Sequence, residues 1–172
     1  MAVSDRMLEK GDWVVHHLHG VGQIKGVVKR KVNGKKQMYY RVQTNDLTYY
    51  LQVSEDHIKE IRSVSAPSTF RSILSLIRKE PKQIAEHHRA RKKRIQKAAT
   101  KLSLKAKARM IRDLYGRQIR KKLNFRDQMT LEKLKKQFVA EWAVSDEKLD
   151  KEEAMRKLND ALYISATRME AE

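Results

Sequence analysis

The sequence predicts an α+β protein in which a small β module precedes an all-α helical module. The first third of the chain contains short runs rich in β-branched and aromatic residues, each bounded by turn residues. From Ser68 onward, apolar residues recur with a helical period, and both prolines of the chain lie near the start of this part. We therefore place the module boundary after residue 66, which gives modules at residues 1–66 and 67–172.

Four strand-like runs and a hairpin signal define the β module. Asn33-Gly34 favours a two-residue turn, because both central residues of a type I′ turn need a positive φ. Asn45-Asp46 marks a second tight turn, and residues 58–64 can form a fifth strand. Short strands joined by tight turns indicate a small barrel or a strongly bent sheet. The four runs are residues 13–15, 21–28, 38–42 and 47–53.

The first two helices of the second module differ in polarity. Pro81 ends the first of them and can occupy the first turn of the next. Residues 82–100 are nearly all polar, so we expect this second helix to be exposed or completed by a partner. The apolar face of the first helix has i, i+3, i+4, i+7 spacing and consists of Phe70, Ile73, Leu74 and Ile77.

Three further helices begin at predicted N-cap residues. Ser103 can cap the third helix, Asn124 with Asp127 resembles a capping box for the fourth, and Ser145 can cap the fifth. We expect Trp142 on the core side of the fourth helix. The other predicted core residues of these helices are Leu104, Ala108, Ile111, Leu114, Tyr115, Met129, Leu131, Leu134, Phe138, Leu149, Met155, Leu158, Leu162 and Ile164.

Positive charge is concentrated in residues 82–122. This segment holds sixteen Lys or Arg and two acids, and its net charge of +14 is most of the chain's net +18. Charge runs are most often solvated helix faces, but here balancing acids are missing over the whole segment. A concentrated positive field is typical of polyanion binders, and each phosphate neutralised by Lys or Arg releases condensed cations. We therefore expect nucleic-acid contact with a steep salt dependence.

The composition disfavours several classes of protein. Without cysteine the chain has no disulfide or thiolate metal site, and no apolar run approaches the length that spans a bilayer. The chain start lacks the basic and apolar blocks of a signal peptide, so we expect a cytoplasmic protein. Neither a phosphate-cradling loop nor a Ser–His–acid order is found in the sequence. We expect no enzyme, no cofactor and no small-molecule substrate.

His16, His17 and His19 raise the question of a metal site. Alternate strand residues share a face, so two of these histidines can point the same way. Zinc sites usually need four ligands, however, and no cysteine or acidic cluster accompanies the three residues. We therefore expect no metal, with one histidine packed in the barrel and another hydrogen-bonded across the turn.

Several distinctive motifs follow one another along the chain. Residues 10–15 read KGDWVV and residues 19–24 read HGVGQI. These residues resemble the GD–VVY–HGVG–I opening of the CarD/CdnL family of bacterial transcription regulators. Residues 39–42 and 47–53 fit the family's later strands. Residues 111–115 read IRDLY and are similar to the V-V-R-D-L-W/Y segment of the family's helical domain.

The resemblance implies a Tudor-like β-barrel that docks on the RNA polymerase β subunit through strand contacts. Arg30 matches a basic residue that the family uses for this contact, Tyr50 stands where a second contact arginine is expected, and Tyr49 precedes it in the same strand. The resemblance also implies a helical module that touches double-stranded promoter DNA at the upstream edge of the transcription bubble. Such a protein stabilises the open complex, is associated with the nucleoid and has no membrane partner.

The sequence departs from the family pattern at the start of the basic helix. Family members place a tryptophan there as a wedge for the minor groove, whereas this chain has His87 or His88 at that position. Because imidazole offers less stacking area than indole, we expect weaker wedging and more reliance on the phosphate backbone. The predicted phosphate contacts come from Arg89, Arg91, Lys92, Lys93, Arg94 and Lys97.

Two other functions fit the same residues. One is an RNA-binding or ribosome-associated protein, since a small β module with basic helices suits ribosomal RNA equally well. The other is an interaction module like that of the transcription-repair coupling factor, which shares the β domain. Recovery of polymerase β or of ribosomal subunits with the protein separates the first of these from a polymerase-bound regulator.

Overall fold

The computed structural model describes residues 7–169, and the chain divides into two compact units, Met1–Val64 and Ser65–Glu172. Strands occupy the first unit and all the long helices occupy the second, so the α+β class is confirmed. The division falls two residues before the boundary predicted from the sequence.

The first unit is a five-stranded antiparallel sheet with strand order β4-β3-β2-β1-β5. A single helical turn, α1 (Glu55–Ile58), separates the last two strands along the chain. Within residues 7–169, β4 and β5 are the sheet edges and do not pair with each other, so the predicted closure into a barrel is not found. The strands are β1 (Trp13–His16), β2 (Gly20–Val32), β3 (Lys35–Gln43), β4 (Thr48–Gln52) and β5 (Ile61–Ser63).

The β2–β3 hairpin forms at the predicted turn. Asn33 and Gly34 have φ values of 51° and 78°, which is the positive-φ pair that a type I′ turn needs. A register shift between Ile24 and Gly26 marks a β-bulge in β2. Such bulges increase the local twist of a strand. One face of the sheet covers a small apolar core, which consists of Leu8, Val14, Ile24, Tyr40, Val42, Leu51 and Ile61.

The second unit consists of five helices whose caps explain most of their boundaries. Ser103 accepts a hydrogen bond from the Ala106 N–H, and Asn124 accepts one from the Asp127 N–H, as predicted. The helices are α2 (Pro67–Ile77), α3 (His88–Ala99), α4 (Leu104–Arg120), α5 (Phe125–Ser145) and α6 (Lys151–Thr167).

Two predicted helix starts are wrong. Ser145 is the last residue of α5, and α6 is capped by Asp150, whose carboxylate accepts from the Glu153 N–H at 2.8 Å. Pro81 lies in the irregular segment 80–87, because α3 begins only at His88. Backbone polar groups of this segment form hydrogen bonds with side chains of α3 and α4, as described below.

The helical core is built on an aromatic cluster. Phe70 and Trp142 stack with ring centroids 5.5 Å apart, and Phe138 meets both rings edge-on, which confirms Trp142 as a core residue. Two residues predicted to lie in the core, Met129 and Ile164, are exposed instead. Of the helices described, none has the length and apolar character needed to cross a membrane.

Candidate functional site

Three helix ends meet on the second unit, and we call the region that they form the basic end: residues 86–89, 117–122 and 124–129. The Arg91 side chain in the first turn of α3 bonds to Asp127 in the first turn of α5 at 2.9 Å. Gln118 near the end of α4 donates to Gln128 of α5 at 2.9 Å. Because these bonds join all three elements, residues far apart in the sequence are placed on one surface.

Arg91 is buried, with 8% of its surface exposed. Its Nε donates to Asp127 Oδ2 at 2.9 Å, and its Nη1 donates to the carbonyls of Ala85 and Glu86 at 3.4 and 2.7 Å. Removing one partner of such a buried pair costs about 3–5 kcal/mol, because the other charge is left uncompensated. The structure therefore turns this predicted phosphate contact inward, and Arg91 positions the basic end.

Arg94 is also held by the protein. Its guanidinium donates to Asp113 Oδ2 and to the carbonyl of Gln83, both at 2.7 Å. Asp113 is buried and also accepts from the Arg112 side chain at 2.9 Å and from the Lys82 N–H at 3.0 Å. The Arg-Asp pair of the IRDLY motif thus anchors the irregular segment on α4, and Arg94 is only partly open to solvent.

Three of the predicted phosphate contacts are exposed, and a fourth, Lys92, is half-buried. Arg89, Lys93 and Lys97 are exposed at i, i+4 and i+8, so they form one stripe along α3, with Lys92 beside it. Within residues 7–169 none of the four has an acidic partner. We call Arg89, Lys93 and Lys97 the outer stripe. Like charges at this spacing oppose helix formation unless an anion neutralises them.

The histidines predicted at the tip lie at the start of α3. His87 is its N-cap residue and His88 its first residue, and both side chains are exposed. His87 makes no side-chain capping bond. The structure thus leaves both imidazoles open at the basic end, beside Arg89.

Phe125 is a candidate contact residue that the sequence reasoning missed. It is the first residue of α5 and 82% of its surface is exposed, with Met129 exposed one turn later. Its neighbours along the chain are basic: Lys121, Lys122 and Arg126. At about 100° per residue, Met129 lies some 200° from the buried Leu131, so the helical period itself could have separated this apolar pair from the core face.

Among the described residues of the basic end, Glu86 is the one acid at the surface, because Asp127 is buried. Arg117 grips its carboxylate with two bonds, Nη1 to Oε1 at 2.8 Å and Nη2 to Oε2 at 3.2 Å, and Lys121 Nζ lies 3.2 Å from Oε2. The bond from Arg117, followed by that from Lys121, lowers the pKa of Glu86 to about 2. The same carboxylate raises the pKa of Arg117.

These three side chains border a cleft of about 380 Å³ between the irregular segment and α4. Gly116 makes the close approach possible, because a Cβ at this position would lie 2.4 Å from Pro81 Cβ. The predicted helix continues through Gly116, whose lack of a side chain leaves room for the Pro81 ring. Lys82 and Arg120 also line the cleft.

On the first unit, two of the three predicted polymerase contacts come together. The Arg30 guanidinium carbon lies 3.6 Å from the centroid of the Tyr50 ring, a cation–π contact from β2 to β4 across the intervening strand β3. Both residues are exposed, and Tyr50 belongs to the edge strand β4. This edge offers backbone groups that no strand in residues 7–169 covers.

Tyr49, the third predicted contact, faces the other side of the sheet. Successive strand residues point to opposite faces, and the Tyr49 ring packs against the core and against His19, with centroids 4.6 Å apart. Its hydroxyl is buried without a hydrogen-bond partner within the described residues, and burial raises the pKa of Tyr49. Tyr49 therefore does not share the exposed surface of Arg30 and Tyr50.

His16 closes the turn between β1 and β2. Its Nδ1 accepts from the backbone N–H groups of Leu18 and His19 at 3.1 and 3.3 Å, which leaves the proton of the neutral ring on Nε2, facing Glu60 Oε2 at 3.3 Å. Burial, partly opposed by Glu60, lowers the pKa of His16 to about 4. A single histidine thus both packs inside the unit and bonds across the turn.

The same cluster has ligand-type atoms close enough for a metal ion. One such atom each from His16, His17 and Glu60 lies within 4.8 Å of the others. Metal-bound histidines usually donate a proton from their second ring nitrogen, whereas Nδ1 of His16 accepts. The hydrogen bonding of His16 therefore favours a structural role for the cluster.

Comparisons with known proteins agree with the first unit. Residues 8–65 match the family model described as the CarD-like/TRCF RID domain. A search of the curated proteins gave no match to the chain. The domain is an RNA polymerase-interacting module, so the match supports an RNA polymerase-associated transcription factor. Residues 8–65, which build the sheet of the first unit, are therefore a CarD-like/TRCF RID domain.

Proposed function

We propose that the protein is a transcription regulator that binds the RNA polymerase β subunit through its first unit and promoter DNA through its second. The outer stripe and the basic end contact DNA near the upstream edge of the transcription bubble, and this contact stabilises the open complex. The protein acts by binding and not by catalysis. Its place in the cell is the cytoplasm, at the nucleoid.

The observation that carries this proposal is the unpaired outer stripe. Arg89, Lys93 and Lys97 lie about one helical turn apart, so the stripe presents three cations along a line of roughly 12 Å. Double-stranded DNA presents a regular row of phosphates along each strand, and each neutralised phosphate releases condensed cations. The stripe therefore supplies affinity and orientation, while base sequence is not read by it.

The tip of the basic end fits DNA that has been opened. Proteins that bind at kinked or unstacked steps insert apolar or aromatic side chains from a basic surface into the minor groove. Phe125 has this environment, with His87 and His88 at the same end of the unit. An exposed aromatic ring can stack on a base that has lost its neighbour, which favours the edge of a bubble over closed duplex.

The edge strand β4 supports the proposed polymerase contact. An exposed strand edge can accept a strand from a partner, with main-chain bonds giving affinity and nearby side chains giving specificity. Tyr50 lies on such an edge, and the guanidinium of Arg30, which belongs to β2, is already oriented over its ring. One cation backed by an aromatic ring thus takes the place of the two arginines expected from the family.

Two variants test the halves of the proposal separately. Arg30→Glu should lose polymerase from pull-downs with the full chain and keep DNA binding. The triple variant R89A/K93A/K97A should keep polymerase and fail to extend the lifetime of an open promoter complex in footprinting. The triple variant K136A/K148A/K151A removes three exposed lysines elsewhere on the second unit and serves as its control. Recovery of ribosomal subunits without polymerase would refute the regulator and favour the RNA-binding alternative.

A further inference from the structure

Glu86 stands out in the electrostatics of the basic end. Its carboxylate is 70% exposed, whereas the Arg117 side chain that grips it is 10% exposed. A nearly buried guanidinium with its fork turned to the surface is a preformed receptor for a planar pair of oxygens. Lys121 adds a second cation at one of these two oxygens, Oε2. The cations are thus fixed, and the anion is the part that reaches into solvent.

The chemistry of this fork suits phosphate as well as carboxylate. Two oxygens of a phosphodiester can accept the same two parallel N–H bonds that the Glu86 oxygens now accept. The cleft beside the fork is lined by Lys82 and Arg120. Its other acid, Asp113, is buried and already accepts from Arg94 and Arg112. A phosphate that enters the cleft therefore meets unneutralised cations once Glu86 leaves.

The Glu86 side chain can leave without unfolding its surroundings. The residue lies in the irregular segment, two residues before α3 begins. Its carbonyl is held by Arg91 Nη1 at 2.7 Å, and the carbonyl of Gln83 by Arg94 Nη1 at the same distance. Because the backbone is held by bonds that do not involve the carboxylate, rotation of the side chain alone exposes the fork.

We propose that Arg117 and Lys121 form a binding site for a backbone phosphate of DNA, which the Glu86 carboxylate occupies while the protein is free. Glu86 is an internal competitor that weakens binding to closed, randomly encountered DNA. The start of α3 joins this site to the outer stripe. A phosphate bound at the site therefore extends the DNA contact that the outer stripe makes. This inference rests on the proposed DNA-binding function and adds a phosphate site and a means of its regulation.

Because Glu86 competes with phosphate in this proposal, removing its charge should strengthen DNA binding. Glu86→Gln should bind a labelled DNA duplex about three- to tenfold more tightly at low salt. Its log–log salt slope should be steeper than the wild-type slope by about 0.9 for each phosphate gained. Glu147→Gln removes the same charge from an exposed position in the loop between α5 and α6 and should change neither quantity.

Lys121→Ala in the Glu86→Gln background identifies the site. Lys121 is well exposed, so this change leaves the fold intact, and thermal unfolding of each variant checks that point. The gain in affinity should be lost in the double variant. If Glu86→Gln binds DNA no more tightly than wild type while its thermal stability is unchanged, the Glu86 carboxylate does not compete with phosphate and the inference is wrong. The outer-stripe variant R89A/K93A/K97A, measured beside it, reports on DNA binding itself: its loss of affinity upholds the proposed function even when Glu86→Gln has no effect.

Discussion

The two units bury ionisable residues in opposite ways. The first unit keeps His16 neutral, with one ring nitrogen accepting backbone bonds and the other facing Glu60. The second unit keeps Arg91 charged, paired with the buried carboxylate of Asp127. A neutral buried group stops stabilising the fold when it gains a proton. A buried ion pair stops stabilising the fold when either of its members is removed. We therefore expect the first unit to be sensitive to pH and the second to be sensitive to mutation.

Arg91→Ala is expected to have the largest effect. It leaves Asp127 as an uncompensated buried charge and frees the carbonyls of Ala85 and Glu86, so the second unit should lose about 3–5 kcal/mol of unfolding free energy. Urea unfolding followed by the fluorescence of the buried Trp142, in a Trp13→Phe background, measures this loss. Arg89→Ala, two residues away and exposed, should change the stability by less than about 0.5 kcal/mol. Equal losses in the two variants would contradict the inner and outer roles assigned to α3.

The second-largest expected effect is the destabilisation of the first unit by acid. The pKa of His16 is about 4 in the folded unit and near 6.5 when unfolded, so protonation favours the unfolded chain. The stability is complete above pH 6.5 and falls by up to about 3 kcal/mol as the pH drops to 4. Trp13 fluorescence in a Trp142→Phe background reports this unit. His16→Gln cannot titrate, so its stability at neutral pH should be lower but flatter across the same window.

Glu60 contributes at the acid end of that window. Although its partial burial acts the other way, the hydrogen bonds from His57 and His16 lower the pKa of Glu60. A carboxylate with a lowered pKa adds stability above its unfolded pKa, and this stability is lost as the pH falls through the folded value. A curve for His16→Gln that is still as steep as that of the wild type would assign the acid sensitivity to Glu60 instead.

Phe125→Ala tests the tip of the second unit. Loss of one stacked ring should weaken binding to duplex that contains a short unpaired bubble by about 1–3 kcal/mol, with a smaller effect on fully paired duplex. Tyr163→Ala removes another highly exposed aromatic ring of the same unit and should leave both affinities unchanged. Equal losses on the two DNA substrates would mean that Phe125 does not meet an opened base. Sedimentation of both variants shows whether the ring serves contact with a second copy of the chain.

Local signals in the sequence were enough for much of this architecture. Asn33-Gly34 and the caps Ser103 and Asn124 act within a few residues of themselves, so their neighbours decide the outcome. The start of α6 was misplaced because Ser145 and Asp150 are both good N-cap residues, and the structure selects Asp150, whose third following residue is Glu153.

The role of each cation was harder to predict, because it depends on partners distant in the sequence. Arg91 turns inward to Asp127, which lies thirty-six positions away, and no feature of the basic run distinguishes it from Arg89. Tyr49 and Tyr50 could be separated by strand alternation, which places consecutive residues on opposite faces. A count of charges along the chain therefore overstates the cations that are available to DNA.

The smallest expected effect concerns the exposed edge of the first unit. The stacking of Arg30 on Tyr50 should contribute about 0.5–1 kcal/mol at such an exposed site, so Tyr50→Leu should cost that much stability while Tyr50→Phe keeps most of it. The two Tyr50 variants should also differ in polymerase pull-downs, because Phe preserves the orientation of the Arg30 guanidinium and Leu does not. If Leu and Phe retain polymerase equally, the ring does not orient Arg30 for its partner, and the β4 backbone edge alone must account for the contact.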